Sequence, residues 1–425
     1  MQIALLALGS RGDVQPFIAL GCVLHRAGHA VRLIGLADYA DLAADYGIEY
    51  HAVVGAAREL MDVELVYAAL DAAGKRLPLD FARRFVAQIS PLITRLYSDC
   101  LAACRNSDLL VAATLGMYPG LFLAEKLGLP LVPAHFHPHG ISAVMPDLSF
   151  AAAPPWMPLG RLYHRLTHHL SAHGLWQLLR GPLNRARREA LDLAPLSIPA
   201  LWRQVRRSAP LSLYGYSAIV APPASDWPAQ RRITGYWLLD KPGTFQAPAD
   251  LEHFLAAGEP PVYIGFGSVL AGRNPAAITA LLAAALSRAG VRGLIYRGAW
   301  GDLAPEPLPD HMLAIDAIPH NWLFPQTAAV VTHGGAGTVA AALCAGVPII
   351  TVPFYGDQRF WGRRIAELGA GVPPIPRAGL SVERLAAAIR RAISDQGMRS
   401  RAAVIGAHIA AEDGPAVAAA ALLRK

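Results

Sequence analysis

Charged side chains are scarce in this sequence, at 16% of the residues, whereas hydrophobic ones make up 54%. This composition excludes a mainly disordered chain, because so many apolar side chains must be buried in folded cores. The four cysteines are few, and they lack the spacing of a zinc-binding module. The formal charge of +7 fits phosphate-bearing ligands, an anionic membrane surface or nucleic acid, and composition alone does not choose among them.

The sequence also lacks a long uninterrupted apolar run and a recognisable leader. The longest stretch of low charge, residues 328–356, is broken by glycines and prolines, so we interpret it as strand, loop, helix and strand. Residues 1–8 run directly into an apolar strand, without the basic segment and cleavage site of a secretory signal. We therefore expect a cytoplasmic protein without structural disulfides.

Several cofactor motifs are missing. Arg11 stands where a dinucleotide fingerprint after the first strand needs glycine, which argues against a nicotinamide enzyme such as an epimerase. No Gly-Lys-Ser/Thr of a Walker loop follows the glycines at 334–337, which argues against an ATPase. The four lysines include no evident pyridoxal-binding residue, which argues against a phosphorylase.

What the sequence does contain is two series of short apolar runs between Ala-rich helical stretches. They lie at 3–7, 30–34 and 109–113, and then at 262–265, 293–296, 329–332 and 348–352. Short unbroken strands between helices predict parallel sheets covered on both faces. Since 425 residues are too many for one core, we expect two α/β domains, separated by a proline- and arginine-rich region at 140–248 without a clear strand pattern.

Ligands of such sheets bind beyond the carboxyl ends of the strands. The first strand is followed by Gly9-Ser10-Arg11-Gly12-Asp13 and a helix predicted from about Phe17 to Ala27. Asp13 at this position is either a general base that removes a proton from an acceptor hydroxyl or a residue that caps the helix. Spacing alone leaves both interpretations open.

Loops in the second series favour an anionic ligand. Gly265-Phe266-Gly267-Ser268 is a weak phosphate motif, whereas the segment from His333 to Thr338 places a histidine and three glycines between a strand and a helix. Unpaired N–H groups and the positive end of the helix dipole then face one point, to which His333 can also donate. After the next strand, Asp357 and Gln358 can hydrogen-bond to vicinal sugar hydroxyls.

Together these motifs resemble the nucleotide-sugar-dependent glycosyltransferases (UDP-glycosyltransferases), in particular the sterol 3-beta-glucosyltransferases and the glycopeptide glycosyltransferases. The resemblance covers nearly the whole chain and is carried by Gly9–Pro16, Pro222-Pro223 with Asp226-Trp227-Pro228, Thr234–Trp237, Pro319–Phe324, His333–Thr338 and Pro353–Trp361.

The resemblance implies the GT-B fold, an α/β fold of two Rossmann-like domains with a cleft between them. A C-terminal helix, here from about Ala416 to Arg424, crosses back to the N-terminal domain in such folds. The predicted domains are 1–235 for the acceptor, with a helical insert at about 140–210, then 236–405 for the donor and 406–425 for the returning helix.

The resemblance also assigns donor-binding residues. Ile318 and His320 lie against the base and ribose, and Asp357 and Gln358 bind the sugar. The diphosphate is held by Ser268, His333, Gly335, Ala336, Gly337 and Thr338. UDP-glucose is the implied donor substrate, with dTDP as the alternative nucleotide, and no cofactor is implied. Because no Asp-x-Asp pair stands near the donor loops, we expect activity without a metal.

On the acceptor side, many relatives use a histidine after the first strand as base, partnered by an aspartate. This sequence resembles the subgroup with Asp13 in that loop, so the usual dyad is absent. Ser10 and Arg11 are expected to lie near the acceptor, as are His135, His137 and His139, which follow the strand around Leu131. Asp13 is the predicted base, and His137 stays open as the alternative.

The implied reaction is inverting transfer of a hexose to the hydroxyl of an apolar acceptor, with a sterol favoured by the motif match. A phenolic, macrolide, glycopeptide or other lipid acceptor stays open, as does a non-catalytic lipid or nucleotide-sugar binding protein that has kept the fold. No nucleic acid partner is expected.

The stretch from Arg161 to Arg207 is rich in arginine, leucine and aromatic residues. It is either a basic, amphipathic surface that rests on anionic lipid or a solvated helical face. Histidines four residues apart also occur there, at positions 164, 168, 169 and 173, and a zinc site is the weaker alternative for them.

Overall fold

The computed structural model describes residues 1–55, 79–208, 211–267, 275–298, 303 and 308–424. Two compact units make up the chain. Unit 1 comprises Met1–Ala218, Pro222–Leu239 and Asp413–Lys425, and unit 2 comprises Ile219–Ala221 and Asp240–Glu412.

Unit 1 is built on a parallel sheet, which in the described residues has seven strands in the order β3-β2-β1-β4-β5-β6-β7. The strands are β1 Gln2–Ala7, β2 Ala30–Leu36, β3 Glu49–Val53, β4 Leu109–Ala113, β5 Leu131–His135, β6 Ser212–Tyr214 and β7 Arg231–Ile233. Strand order reverses between the neighbours β1 and β4, where a crevice opens at the carboxyl ends of an open parallel sheet.

Helices cover this sheet. They are α1 Arg11–Arg26, α2 Ala40–Ala44, α3 Leu79–Cys104, α4 Met117–Leu127, α5 Gly160–Glu189, α6 Ile198–Ser208 and α14 Gly414–Leu423. The long helices α3 and α5 pack against each other, and α14 packs against α1. Alternate strand residues such as Ala4 and Leu6 share one buried cluster with Tyr97, Phe122 and Trp176, which fixes the helical layer on that face.

Unit 2 repeats this architecture with a parallel sheet in the order β10-β9-β8-β11-β12. The strands are β8 Val262–Gly265, β9 Gly293–Tyr296, β10 Met312–Ile315, β11 Ala329–Thr332 and β12 Ile349–Thr351. The helices are α7 Ala249–Ala256, α8 Pro275–Ala289, α9 His320–Leu323, α10 Ala336–Cys344, α11 Gln358–Glu367, α12 Val382–Ser394 and α13 Gln396–Ala410. Strand order reverses between β8 and β11.

The structure confirms two parallel α/β units and corrects several details of the prediction. The region 140–248 contains two strands, β6 and β7, which were missed because three-residue strands are too short to show a period. Helix α1 begins at Arg11, six residues before the predicted Phe17, so Asp13 lies in its first turn.

The predicted domain boundaries stay predictions, although two observations bear on them. Helices α5 and α6 occupy most of the expected insert at 140–210. Residue 406, the expected start of the returning segment, lies inside α13 of unit 2, whereas α14 belongs to unit 1. In the part of the chain that the structure describes, no helix is both long and apolar enough to span a membrane.

Candidate active site

The first site loop follows β1 and is held by a helix cap. Oδ2 of Asp13 accepts a hydrogen bond from the backbone N–H of Ser10 over 2.9 Å and lies 3.2 Å from the Ser10 hydroxyl. A Cβ at Gly9 would lie 2.3 Å from the same oxygen, so only glycine leaves room for this carboxylate. The capping role of Asp13 is thus present. It orients a half-buried carboxylate beyond the carboxyl end of β1, which neighbours β4 in the sheet.

An apolar side chain stands next to this carboxylate. Leu115, in the loop after β4, is 61% exposed, and its Cδ1 lies 3.1 Å from the position of a Cβ on Gly9. Exposed leucines are ordinary when scattered, but this one adjoins a candidate base at a strand end. Arg11 is exposed at the first position of α1, beside Ser10.

Three histidines gather at the carboxyl end of β5, where His135 is the last residue of the strand. His135 is buried, lies 2.9 Å through Nδ1 from the hydroxyl of Thr114, and stacks on the ring of His139 at 4.4 Å between centroids. The ring of His137 lies 6.4 Å from that of His135 and 5.8 Å from that of His139. The segment after β4 therefore joins both parts of the predicted acceptor side, because Thr114 contacts His135 and Leu115 lies next to Gly9.

Desolvation keeps these imidazoles neutral in the ligand-free protein. It lowers the pKa of His137 to about 4 and, together with the neighbouring His139 and His137, holds the pKa of His135 well below its usual value. A neutral imidazole can accept a proton, but one with a pKa near 4 is a weak base at neutral pH. This favours Asp13 over the alternative base His137.

The donor-side loop lies where the strand order of unit 2 reverses. His333 follows β11, and its ring lies between two glycines: a Cβ on Gly335 would be 2.4 Å from Nε2, and one on Gly267 would be 3.4 Å from Cε1. The Thr332 hydroxyl lies 3.3 Å from Nδ1. Burial lowers the pKa of His333 to about 4, so the ligand-free ring is neutral.

Helix α10 begins at Ala336, three residues after this histidine, with Gly335 as its N-cap. The first intrahelical bond of the turn runs from Val339 N to Gly335 O over 3.0 Å. The backbone N–H groups of Ala336, Gly337 and Thr338 precede it and therefore have no acceptor within the helix. Unpaired N–H groups at a helix start next to a histidine are suited to an anion such as a diphosphate, so the predicted role of His333 and these groups stays open to test.

The predicted sugar-binding pair adjoins this loop within unit 2. A Cβ on Gly334 would lie 3.1 Å from the carbonyl oxygen of Gln358, so the two loops are in close contact. Oε1 of Gln358 accepts from Phe354 N over 2.7 Å and from Tyr355 N over 3.1 Å. Since those bonds engage the amide oxygen, the predicted sugar contact of Gln358 would have to be made by its Nε2 donors.

Asp357 is oriented by an indole. Nε1 of Trp361 donates to Oδ2 of Asp357 over 2.8 Å. Burial raises the pKa of Asp357 to about 6, against the opposing effect of this hydrogen bond. Asp357 is therefore mostly ionised at neutral pH and can accept hydrogen bonds from sugar hydroxyls.

The remaining donor residues lie beyond β10 or outside the described residues. Ile318 is buried, and His320 opens α9 with its ring stacked on Phe324 at 4.3 Å. His320 also meets Tyr263 of β8 edge-on at 5.9 Å. Ser268 lies outside the described residues, so its predicted phosphate contact stays a prediction.

Sequence reasoning missed two of the positioning partners. Trp361 is four residues after Asp357, a spacing that brings side chains together on a helix, so this pair was open to detection. The contact between Thr114 and His135 depends on β4 and β5 being neighbours, which no local pattern reveals.

Two histidines of α5, His164 and His168, have structural roles. Nδ1 of His164 lies 3.1 Å from the carbonyl oxygen of Ala143, and Nε2 accepts from Ala153 N over 2.9 Å. His168 reaches the carbonyl oxygen of Met145 over 3.0 Å. These rings hold the loop of residues 143–153, which argues against zinc. Among the described residues, no three His, Cys, Asp or Glu side chains cluster as metal ligands would.

Two protein families match the chain. Residues 3–146 match the glycosyltransferase family 28 N-terminal domain, and residues 302–424 match the C-terminal domain of erythromycin biosynthesis protein CIII-like proteins.

Sterol 3-beta-glucosyltransferases are similar along the whole chain. The protein from Yarrowia lipolytica is 34% identical over 437 residues, which cover 100% of this chain and 29% of that protein. The one from Saccharomyces cerevisiae is 34% identical over 433 residues, which cover 99% of this chain and 35% of that protein. The chain thus spans about a third of the length of these relatives.

Solved structures agree on the fold. The glycosyltransferase VinC in complex with dTDP aligns with a TM-score of 0.67 at 21% identity, covering 100% of this chain and 99% of its own. The kitacinnamycin glycosyltransferase aligns with a TM-score of 0.68 at 19% identity, covering 99% of this chain and 98% of its own. These likenesses establish the GT-B fold. With the domain matches and the sterol 3-beta-glucosyltransferase relatives, they show that the chain belongs to the UDP-glycosyltransferase family.

Proposed function

We propose that this chain is an inverting glycosyltransferase that transfers glucose from UDP-glucose to the hydroxyl of a sterol. The observation that carries the proposal is the donor cluster of unit 2, where the ring of His333, the start of α10 and the Asp357–Gln358 pair adjoin one another. The cluster combines groups for a diphosphate with groups for sugar hydroxyls. The choice of a sterol as the acceptor is supported by the sterol 3-beta-glucosyltransferase relatives and by the exposed Leu115 beside Asp13.

In the proposed reaction Asp13 removes the proton from the acceptor hydroxyl, and the oxygen attacks the anomeric carbon from the side opposite the diphosphate. The new C–O bond forms as the bond to the phosphate oxygen breaks, and UDP leaves with that electron pair. Negative charge growing on UDP is stabilised by His333 and by the N–H groups at the start of α10, which are already oriented before the reaction. These groups replace a divalent ion in the proposal.

Acceptors of other chemistry form the second candidate. The neighbouring solved structures are natural-product glycosyltransferases such as the kitacinnamycin enzyme, and acceptor loops vary on a common fold. Phenolic and macrolide alcohols are therefore included in the test.

Because sterols reside in bilayers, the proposed reaction takes place at a cytoplasmic membrane surface.

The test measures UDP release from UDP-glucose with a panel of sterols, phenols and macrolides, with and without EDTA. We expect sterol-dependent release that EDTA does not lower, and NMR of the product should show a β-glucoside, the inverted anomer of the donor. UDP release with another acceptor class alone would replace the sterol as the proposed acceptor, and an α-glucoside product would contradict inversion. Tight UDP-glucose binding without turnover on any acceptor would indicate a non-catalytic binding protein.

A further inference from the structure

Helix α5 and the turn before it carry an exposed apolar stripe. Trp156 is 79% exposed, and the leucines that follow at helical spacing are between 48% and 64% exposed. These leucines are Leu159, Leu162, Leu166 and Leu170. The intervals of three and four residues align them on one side of the helix. A contiguous stripe of this kind on a soluble surface marks an interaction site.

The opposite side of α5 is fully engaged within unit 1. Buried His164 holds Ala143 and Ala153, and buried Thr167 accepts from Asp147 N over 2.9 Å. The Ser171 hydroxyl donates to Oδ1 of the same aspartate over 2.7 Å. The stripe therefore faces away from the body of unit 1, and its exposure follows from the packing of the other face.

Charge on α5 indicates what the stripe meets. Glu189 is the only acidic residue of this thirty-residue helix, and it lies 3.8 Å from Arg185. Arg165, Arg180 and Arg188 are exposed. With a period of 3.6 residues, positions 180 and 188 continue the line of the leucines towards the C-terminal end. The exposed face is thus apolar at one end, basic at the other, and without a carboxylate.

We infer that this face of α5 is a docking surface for an anionic lipid bilayer, with Trp156 and the leucines in the interface and the arginines on the headgroups. The inference deepens the proposed function, on which it rests for the idea that the acceptor comes from a membrane. A helix with an apolar stripe and a cationic face lies in the plane of such an interface. Tryptophan favours the same depth, and each arginine gains from the negative surface potential.

Co-sedimentation of the full chain tests the surface, with vesicles of phosphatidylcholine alone or mixed with phosphatidylglycerol. We expect binding to the mixed vesicles that weakens as salt rises. The double variants Leu162→Gln/Leu166→Gln and Arg165→Gln/Arg180→Gln should each weaken it by about tenfold or more. The exposed Val404 and Arg399 of unit 2 supply the matched controls Val404→Gln and Arg399→Gln, which should bind as the unaltered chain does.

A second readout separates this inference from the proposed function. The double variants should glucosylate cyclodextrin-delivered sterol at the unaltered rate and vesicle sterol more slowly. If the double variants lose glucosylation with both sterol sources, or bind vesicles as the unaltered chain does, the docking surface is overturned. Leucine variants that dissociate a dimer in sedimentation velocity would assign the stripe to a second copy of the chain. Vesicle binding without any sterol turnover would leave the surface standing and refute the proposed sterol acceptor.

Discussion

Trp361 positions Asp357: its buried indole donates from Nε1 to Oδ2 of that carboxylate over 2.8 Å. Asp357 precedes α11, and Trp361 lies one turn into it. The direction of the proposed sugar-binding carboxylate is thus fixed by a fully buried side chain. Neither residue could be exchanged without affecting the other.

Trp361→Phe should raise the KM for UDP-glucose by about thirtyfold, since a hydrogen bond to a charged group contributes on the order of 2 kcal/mol. The bond lowers the pKa of Asp357, so its loss should move that pKa above about 6. Because the sugar needs the ionised form, the fall in donor use at acid pH should begin at a higher pH in the variant. KM measured against pH checks this, with Trp202→Phe as control. An unchanged profile would mean that Asp357 does not meet the sugar.

Asp13→Asn separates the two roles of this residue. The amide oxygen can still accept from Ser10 N, so the helix cap and the melting temperature should change little. Proton removal is lost, and kcat should fall between about 10²-fold and 10⁴-fold. Ser10→Ala, which removes only the hydroxyl, should retain most activity. If Asp13→Asn stays active, Asp13 is only a cap, and His137→Gln becomes the next variant to measure.

Gly335→Ala should displace His333, because the new methyl group would stand 2.4 Å from Nε2. Strain of this kind costs on the order of 1–3 kcal/mol, so UDP-glucose affinity in calorimetry should fall by about tenfold or more. Gly174→Ala is the control. That glycine lies inside α5, and nothing is within 4 Å of its new methyl group, so donor affinity should not change. Equal affinities in both variants would exclude His333 from the donor site.

Donor affinity should depend on pH through His333. The ligand-free pKa of about 4 reflects burial, and the negative diphosphate would favour the protonated ring and raise that pKa. UDP-glucose binding should therefore take up a proton, and affinity should gain as pH falls towards the raised pKa. Protonation of Asp357 should lower donor affinity over the same pH range. Because Asp357 titrates in both proteins, the ratio of the affinities of the unaltered chain and His333→Gln cancels this opposite effect. A ratio of the two affinities that is constant with pH would refute the contact.

Much of the fold was accessible from the sequence because buried parallel strands are continuous apolar runs. The strands at 109–113, 262–265, 293–296 and 329–332 were located to the residue. Helix α1 was placed too late because Pro16 is typical of a first helical turn, whereas the start is set by the Ser10–Asp13 cap. The sequence pairs Gln358 with Asp357, but it does not reveal that the amide oxygen of Gln358 is engaged by two backbone groups of its own loop.

The C-terminal segment of the chain completes the N-terminal unit. Helix α14 packs on α1, the helix that carries Asp13, and a Cβ on Gly414 would lie 2.3 Å from the carbonyl oxygen of Tyr236. Residues separated by some four hundred positions therefore share one cooperative core. A fragment that stops at residue 239 would leave the α14 face of α1 uncovered, so unit 1 should be isolated with residues 413–424 joined to it, or as a circular permutant.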